Sequence, residues 1–170
     1  MATTTVAPPK RCLDNWSFYD ATGYCYKVFH NATWENAENF CYSYGAHLTS
    51  IHSLEEDLFI ASNGFPCIAL KIKMVTDMIS FDPNDHGMSW QNIAWIGLFT
   101  VTNQTDWMWI DHTPYNYSIW GPTRPCCSSV AAYCVGLRNG PVWGWPVGVW
   151  ADDECDDIFG HFVCKKLAYQ

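Results

Sequence analysis

Apolar positions alternate through GYCYKVFH (23–30), where Tyr24, Tyr26 and Val28 fall on one side, the period of a half-buried strand. Asn31 and Thr33 stop it. The period then turns helical: in TWENAENFCYSYGA, Trp34, Ala37, Cys41 and Tyr44 share a face, Thr33 stands as N-cap and Gly45 lies just past the end. HLTSI reads as a short strand. SLEEDLFIAS predicts a second helix with a capping box, in which the Ser53 hydroxyl and Glu56 carboxylate satisfy each other's backbone donors. AWIGLFT (94–100), WMWID (107–111), CVGLR (134–138) and HFVCKK (161–166) all read as strands, and Asn139-Gly140 is a hairpin-turn signal. Helices first and a run of strands after give an α+β chain with a mostly antiparallel sheet.

The remaining segments lack this patterning. MATTTVAPPK, at the start, reads with Arg11 as a Thr/Pro-rich linker or stalk over 1–11, ahead of one domain over 12–170. No charged-then-apolar leader precedes it, so Met1 reads as an artificial start or a truncation. Residues 63–92 form a long connection in which ALKIKMVTDMI has the apolar content to extend a helix and DPNDHG breaks it. This atypical insertion reads as lineage-specific, as a gene-model artefact or as a binding loop.

Charge narrows the partners. With net charge −8 and nine scattered Lys and Arg, the chain has no basic stripe for nucleic acid or an anionic membrane. No apolar run is long enough to insert in a bilayer. Nine cysteines without a C-x-x-C pair argue against a zinc ribbon, and four sequons at Asn15, Asn31, Asn103 and Asn116 predict N-glycosylation. Both features place the protein outside the cell. Six histidines show no H-E-x-x-H spacing, and neither a G-x-S-x-G elbow nor a phosphate loop is present, so the chain is not expected to be an enzyme.

WIGL (95–98), WMWIDHTPYNYSIW (107–120), CVGL (134–137) and the W-A-D-D-E-C…F-V-C stretch (150–164) give the chain its resemblance to the long form of the C-type lectin-like domain, over roughly Cys12 to Lys166. The resemblance implies two helices flanking antiparallel sheets and a long loop region. It also implies disulfides Cys12–Cys25, Cys41–Cys164 and Cys134–Cys155. One more bridge, Cys67 to Cys126 or Cys127, leaves an odd thiol and opens the way to a linked homodimer.

Sugar-binding members of that family hold calcium with an acid/amide pair flanking a cis-proline and with a W-N-D triplet. Here Pro125 has Arg124 and Cys126 as neighbours, and Trp150-Ala151-Asp152 keeps only the aspartate. Arginine carries no acceptor and would repel the ion. No cofactor is therefore expected and calcium is disfavoured. A weak calcium site from Asp152, Asp153 and Glu154 is the competing reading, but the run lacks the spacing of a calcium loop. The bland reading makes VWADDECDDIFG a disulfide anchor carrying solvated surface charge.

Trp34, Trp95, Trp109 and Trp120 fall on core faces. Trp143 and Trp145 alternate with Gly and Pro in NGPVWGWPVGVW and are expected in an exposed loop. They either stack on sugars, serve a protein partner, or fold over the adjacent hairpin and fill the space of a missing calcium. Together these features predict an extracellular recognition module that binds glycan without the usual calcium site, with Trp143, Trp145, Trp150 and Asp152 as ligand-binding residues. A module that has lost sugar binding and holds an extracellular protein is the alternative. Innate immunity is what the family resemblance implies.

Overall fold

The computed structural model describes residues 11–61, 90–126, 133–139 and 145–169. The hairpin β1 (Ser17–Tyr19) and β2 (Tyr24–Ala32) leads into α1 (Trp34–Ser43), β3 (His47–Leu48) and α2 (Leu54–Ala61). After a 3-10 turn (Trp90–Asn92) follow β4 (Ile93–Phe99), β5 (Met108–Trp109), β6 (Cys134–Arg138), β7 (Trp150–Asp153) and β8 (Phe159–Leu167). The insertion apart from its last three residues, Cys67, Cys127, Trp143 and the proposed linker apart from Arg11 lie outside the described residues.

Helix boundaries follow local chemistry. The Thr33 hydroxyl accepts from Asn36 N at 3.4 Å, and Gly45 adopts φ +63° just past the C-cap, a conformation that costs glycine little. At α2, Ser53 Oγ accepts from Glu56 N at 3.2 Å, as half of a capping box. The other half differs from expectation. Glu56 Oε2 accepts from His52 N at 2.9 Å, while Oε1 accepts from Lys165 Nζ at 2.7 Å and Tyr26 Oη at 2.6 Å. Lys165 is buried on this carboxylate. Burial and the neighbouring Glu56 charge both push the Tyr26 hydroxyl upward.

The strands lie in the order β1-β2-β8-β4-β6-β7, with β3 also on β8 and β5 also on β4. Two antiparallel halves meet at one parallel junction, β4 against β8, so the sheet is mixed rather than purely antiparallel. Both faces carry core. Tyr26, Ile96, Leu98, Trp109, Trp150 and Val163 pack with α2, whereas Trp95, Phe159, Phe162 and Cys164 pack with Ala37 and Cys41 of α1. Gly97 of WIGL admits no side chain, because a Cβ there would lie 2.5 Å from Leu48 O. Disulfides join Cys12–Cys25, Cys41–Cys164 and Cys134–Cys155. The second ties α1 to β8 across a separation of 123 residues, a closure of up to about 5 kcal/mol in the chain-entropy account. The third fixes β6 to the turn after β7, in the loop-built half.

Candidate functional site

In that loop-built half, β7 alternates its side chains between two environments. Val135 pairs with Asp152 in the β6–β7 ladder, and the Asp152 side chain is 0% exposed. Arg124 reaches it from the loop after Trp120: Nη1 lies 2.9 Å from Asp152 Oδ1 and donates to its backbone oxygen at 2.6 Å. Gln104 Nε2 donates to Oδ2 at 3.0 Å, and Cys126 N–H approaches Oδ1 and Oδ2 at 3.2 and 3.1 Å. The Arg124–Pro125 peptide bond is cis. Burial lowers the Arg124 pKa, but the hydrogen bond and charge of Asp152 more than offset this and leave it raised. Arg124 is thus a permanent internal cation.

This donor set does not fit calcium, which takes six to eight oxygens. Both Asp152 oxygens are engaged by N–H donors, Ala151 supplies no side-chain oxygen, and the Arg124 guanidinium sets a positive charge 2.9 Å from Oδ1. Asp153 points elsewhere, with Arg138 Nη2 3.3 Å from its Oδ2. Burial pushes Asp153 up to about 6, against the pull of Arg138 and Arg124. Glu154 and Asp156 are exposed, whereas Asp152 is buried and Asp153 nearly so. The acidic stretch is therefore not one solvated face. Its strand portion is consumed by two internal arginine pairs, and Asp152, Asp153 and Glu154 do not converge.

The tryptophan assignments also change. Trp150 is fully buried in the core, so it offers no surface to a ligand. Its indole N–H donates to Asp57 Oδ1 at 2.7 Å, and it meets Trp109, Tyr117 and Trp120 edge-on. Asp57 Oδ2 has no partner among the described residues. Burial raises Asp57 to about 7; the Trp150 hydrogen bond opposes that shift and the Glu56 charge adds to it. Trp145 is half-buried rather than exposed. Its ring covers Gly121, where a Cβ would come within 2.6 Å, and the Arg138 guanidinium lies 5.7 Å from its centroid. Backbone without a side chain at Gly121 is what lets the indole lie down.

Other aromatic residues border this loop half. Trp107 and Trp120 are half-buried with ring centroids 5.0 Å apart, and Trp120 Nε1 donates to the exposed Tyr115 hydroxyl at 3.1 Å. Trp120 is therefore not the full core residue its pattern suggests, and Gln104 carries no signal in the sequence at all. The four sequon asparagines are exposed, and Asn15, Asn31 and Asn103 adopt left-handed backbone at φ 64°, 58° and 56°.

The chain is thus a disulfide-stapled α+β scaffold with an irregular half-domain built on a mixed sheet. The Lectin C-type domain family matches residues 30–166, and the chain belongs to that family. It is 32% identical over 160 residues to Snaclec B9 of Macrovipera lebetinus, covering 92% of this chain and 82% of that one. It is 30% identical over 161 residues to one chain of the snaclec coagulation factor IX/factor X-binding protein of Echis carinatus, covering 93% and 99%. Among solved structures, a calcium-independent type II antifreeze protein superposes with a TM-score of 0.71 at 26% identity, covering 95% of this chain and 98% of that one. No helix among the described residues is long and apolar enough to cross a membrane.

Proposed function

We propose that this chain is an extracellular, calcium-independent recognition module whose loop-built half binds a protein partner. The observation that carries this reading is the Arg124–Asp152 pair. The Arg124 guanidinium, Gln104 and the Cys126 N–H all engage the buried carboxylate of Asp152, the one aspartate left of the W-N-D pattern. With no ion to order vicinal sugar hydroxyls, recognition falls to the loop surface itself. The factor IX/factor X-binding relative and the calcium-independent structural neighbour support a scaffold that works in this way. Three formed disulfides and four exposed sequons support the extracellular placement and N-glycosylation of the chain.

Glycan binding without calcium is the second reading. It is favoured by the half-buried Trp107–Trp120 pair beside Tyr115, since aromatic faces stack on sugar C–H groups. Binding of the labelled domain to cell surfaces in EDTA separates the two. Loss after protease treatment, with retention after glycosidase treatment, is expected. The opposite pattern, together with hits on a glycan array in EDTA, overturns the protein reading in favour of the second.

A further inference from the structure

His30 of β2 and His161 of β8 stand directly opposite each other in the antiparallel ladder. Directly opposite residues share a sheet face, so the two imidazoles meet. Their Nδ1 atoms lie 2.9 Å apart, with ring centroids separated by 4.9 Å and planes at 67°. One Nδ1 donates and the other accepts, which holds the two imidazole nitrogens against each other between neighbouring strands. His30 is exposed, while His161 is only 5% exposed and flanked by Ala94 of β4 across the parallel junction. One ligand is thus held by the core and the other is able to adjust.

We propose that His30 and His161 form a two-histidine site for a late first-row divalent ion, Cu²⁺ ahead of Ni²⁺ and Zn²⁺. Metal–imidazole bonds of about 2.0–2.1 Å across this separation give an N–metal–N angle of about 90°. That is the cis angle of tetragonal Cu²⁺ or Ni²⁺, whereas a tetrahedral ion of similar bond length needs the nitrogens to open to about 3.3 Å. The place of Cu²⁺ ahead of Ni²⁺ and Zn²⁺ also follows the general affinity series of divalent first-row ions, and the cis angle is what favours Ni²⁺ over Zn²⁺. Both rings must turn so that their lone pairs meet off the Nδ1–Nδ1 line. The ring that donates in the metal-free pair moves that proton from Nδ1 to its own Nε2 through solvent, so the net charge of the protein is unchanged. No group of three or more His, Cys, Asp or Glu side chains suited to a metal occurs among the described residues, and water fills the other positions. Bound metal clips β2 to β8 near the end of their ladder, independently of the loop-half reading.

The test is titration of the oxidised full chain with CuCl₂ after capping accessible thiols with iodoacetamide, read by electron paramagnetic resonance. One Cu²⁺ per chain with splitting from two imidazole nitrogens is expected. His30→Ala, an exposed strand position, should weaken binding at least tenfold, while His47→Ala leaves it unchanged. Calorimetry should rank Ni²⁺ above Zn²⁺. Absence of a two-nitrogen signal, equal binding by the His30 variant, or Zn²⁺ binding tighter than Ni²⁺ overturns the proposal.

Discussion

Replacing Arg124 by Ala removes the only countercharge within hydrogen-bonding distance of the buried Asp152 carboxylate among the described residues. Breaking a buried pair by deleting one partner costs about 3–5 kcal/mol. Two features reduce that here. Gln104 Nε2 and Cys126 N–H still donate to Asp152, and the Arg124 side chain is 19% exposed, so water enters where it was. The expected loss is about 2–3 kcal/mol, below that range. For a chain of this size it lowers Tm by about 4–12 °C. Thermal unfolding by circular dichroism, under non-reducing conditions in EDTA, measures it. A paired Arg124→Met, Asp152→Leu variant should recover most of the loss, because no charge is then left buried without a partner. Millimolar calcium should not rescue Arg124→Ala, since Asp152 alone cannot coordinate it. A Tm within 1 °C of the parent, about the effect of a few tenths of a kcal/mol, would refute the reasoning.

Asp57→Asn tests the orphaned carboxylate beneath Trp150. Burial raises the Asp57 pKa to about 7 from 3.8, so the native state holds its proton more tightly than the unfolded chain. Stability from this group is therefore full below about pH 4 and falls as pH rises through about 7. The variant should gain up to about 4 kcal/mol at pH 8 and little at pH 4, as denaturant melts at the two pH values would show. Trp145→Ala should cost about 2 kcal/mol, roughly half the usual value for a fully buried tryptophan, because the ring packs on Gly121 and Arg138. An unchanged midpoint in urea would return Trp145 to the exposed surface. Removing Cys41–Cys164 by paired alanine substitutions should cost up to about 5 kcal/mol, which thermal melts of the two proteins compare directly.

Periodicity and capping residues are enough to read α1, α2 and the strands, because each signal is local. Thr33 and Gly45 bound α1 by their own hydrogen-bonding and backbone chemistry. The disulfide pairs come through family resemblance, since spacing alone leaves cysteine connectivity open. The loop half is harder because its partners are distant in sequence. Arg124 is legible as hostile to calcium, but its hold on Asp152 spans 28 residues and, like the Gln104 contact, is seen only in the folded chain. Likewise, tryptophans between Gly and Pro suggest an exposed loop. The missing side chain at Gly121 that seats Trp145 carries no local periodicity. The acids of β7 look like surface charge because alternation assigns side chains to faces but does not reveal an arginine waiting on each.

Calcium titration by calorimetry on the oxidised, glycosylated chain, stripped with EDTA beforehand, tests the central claim most directly. The account predicts no stoichiometric heat and no rise in Tm at millimolar calcium, because the Arg124 guanidinium and two N–H donors already occupy Asp152. One calcium per chain at millimolar affinity or tighter would mean that carboxylates converge where the internal pair stands, and would contradict it.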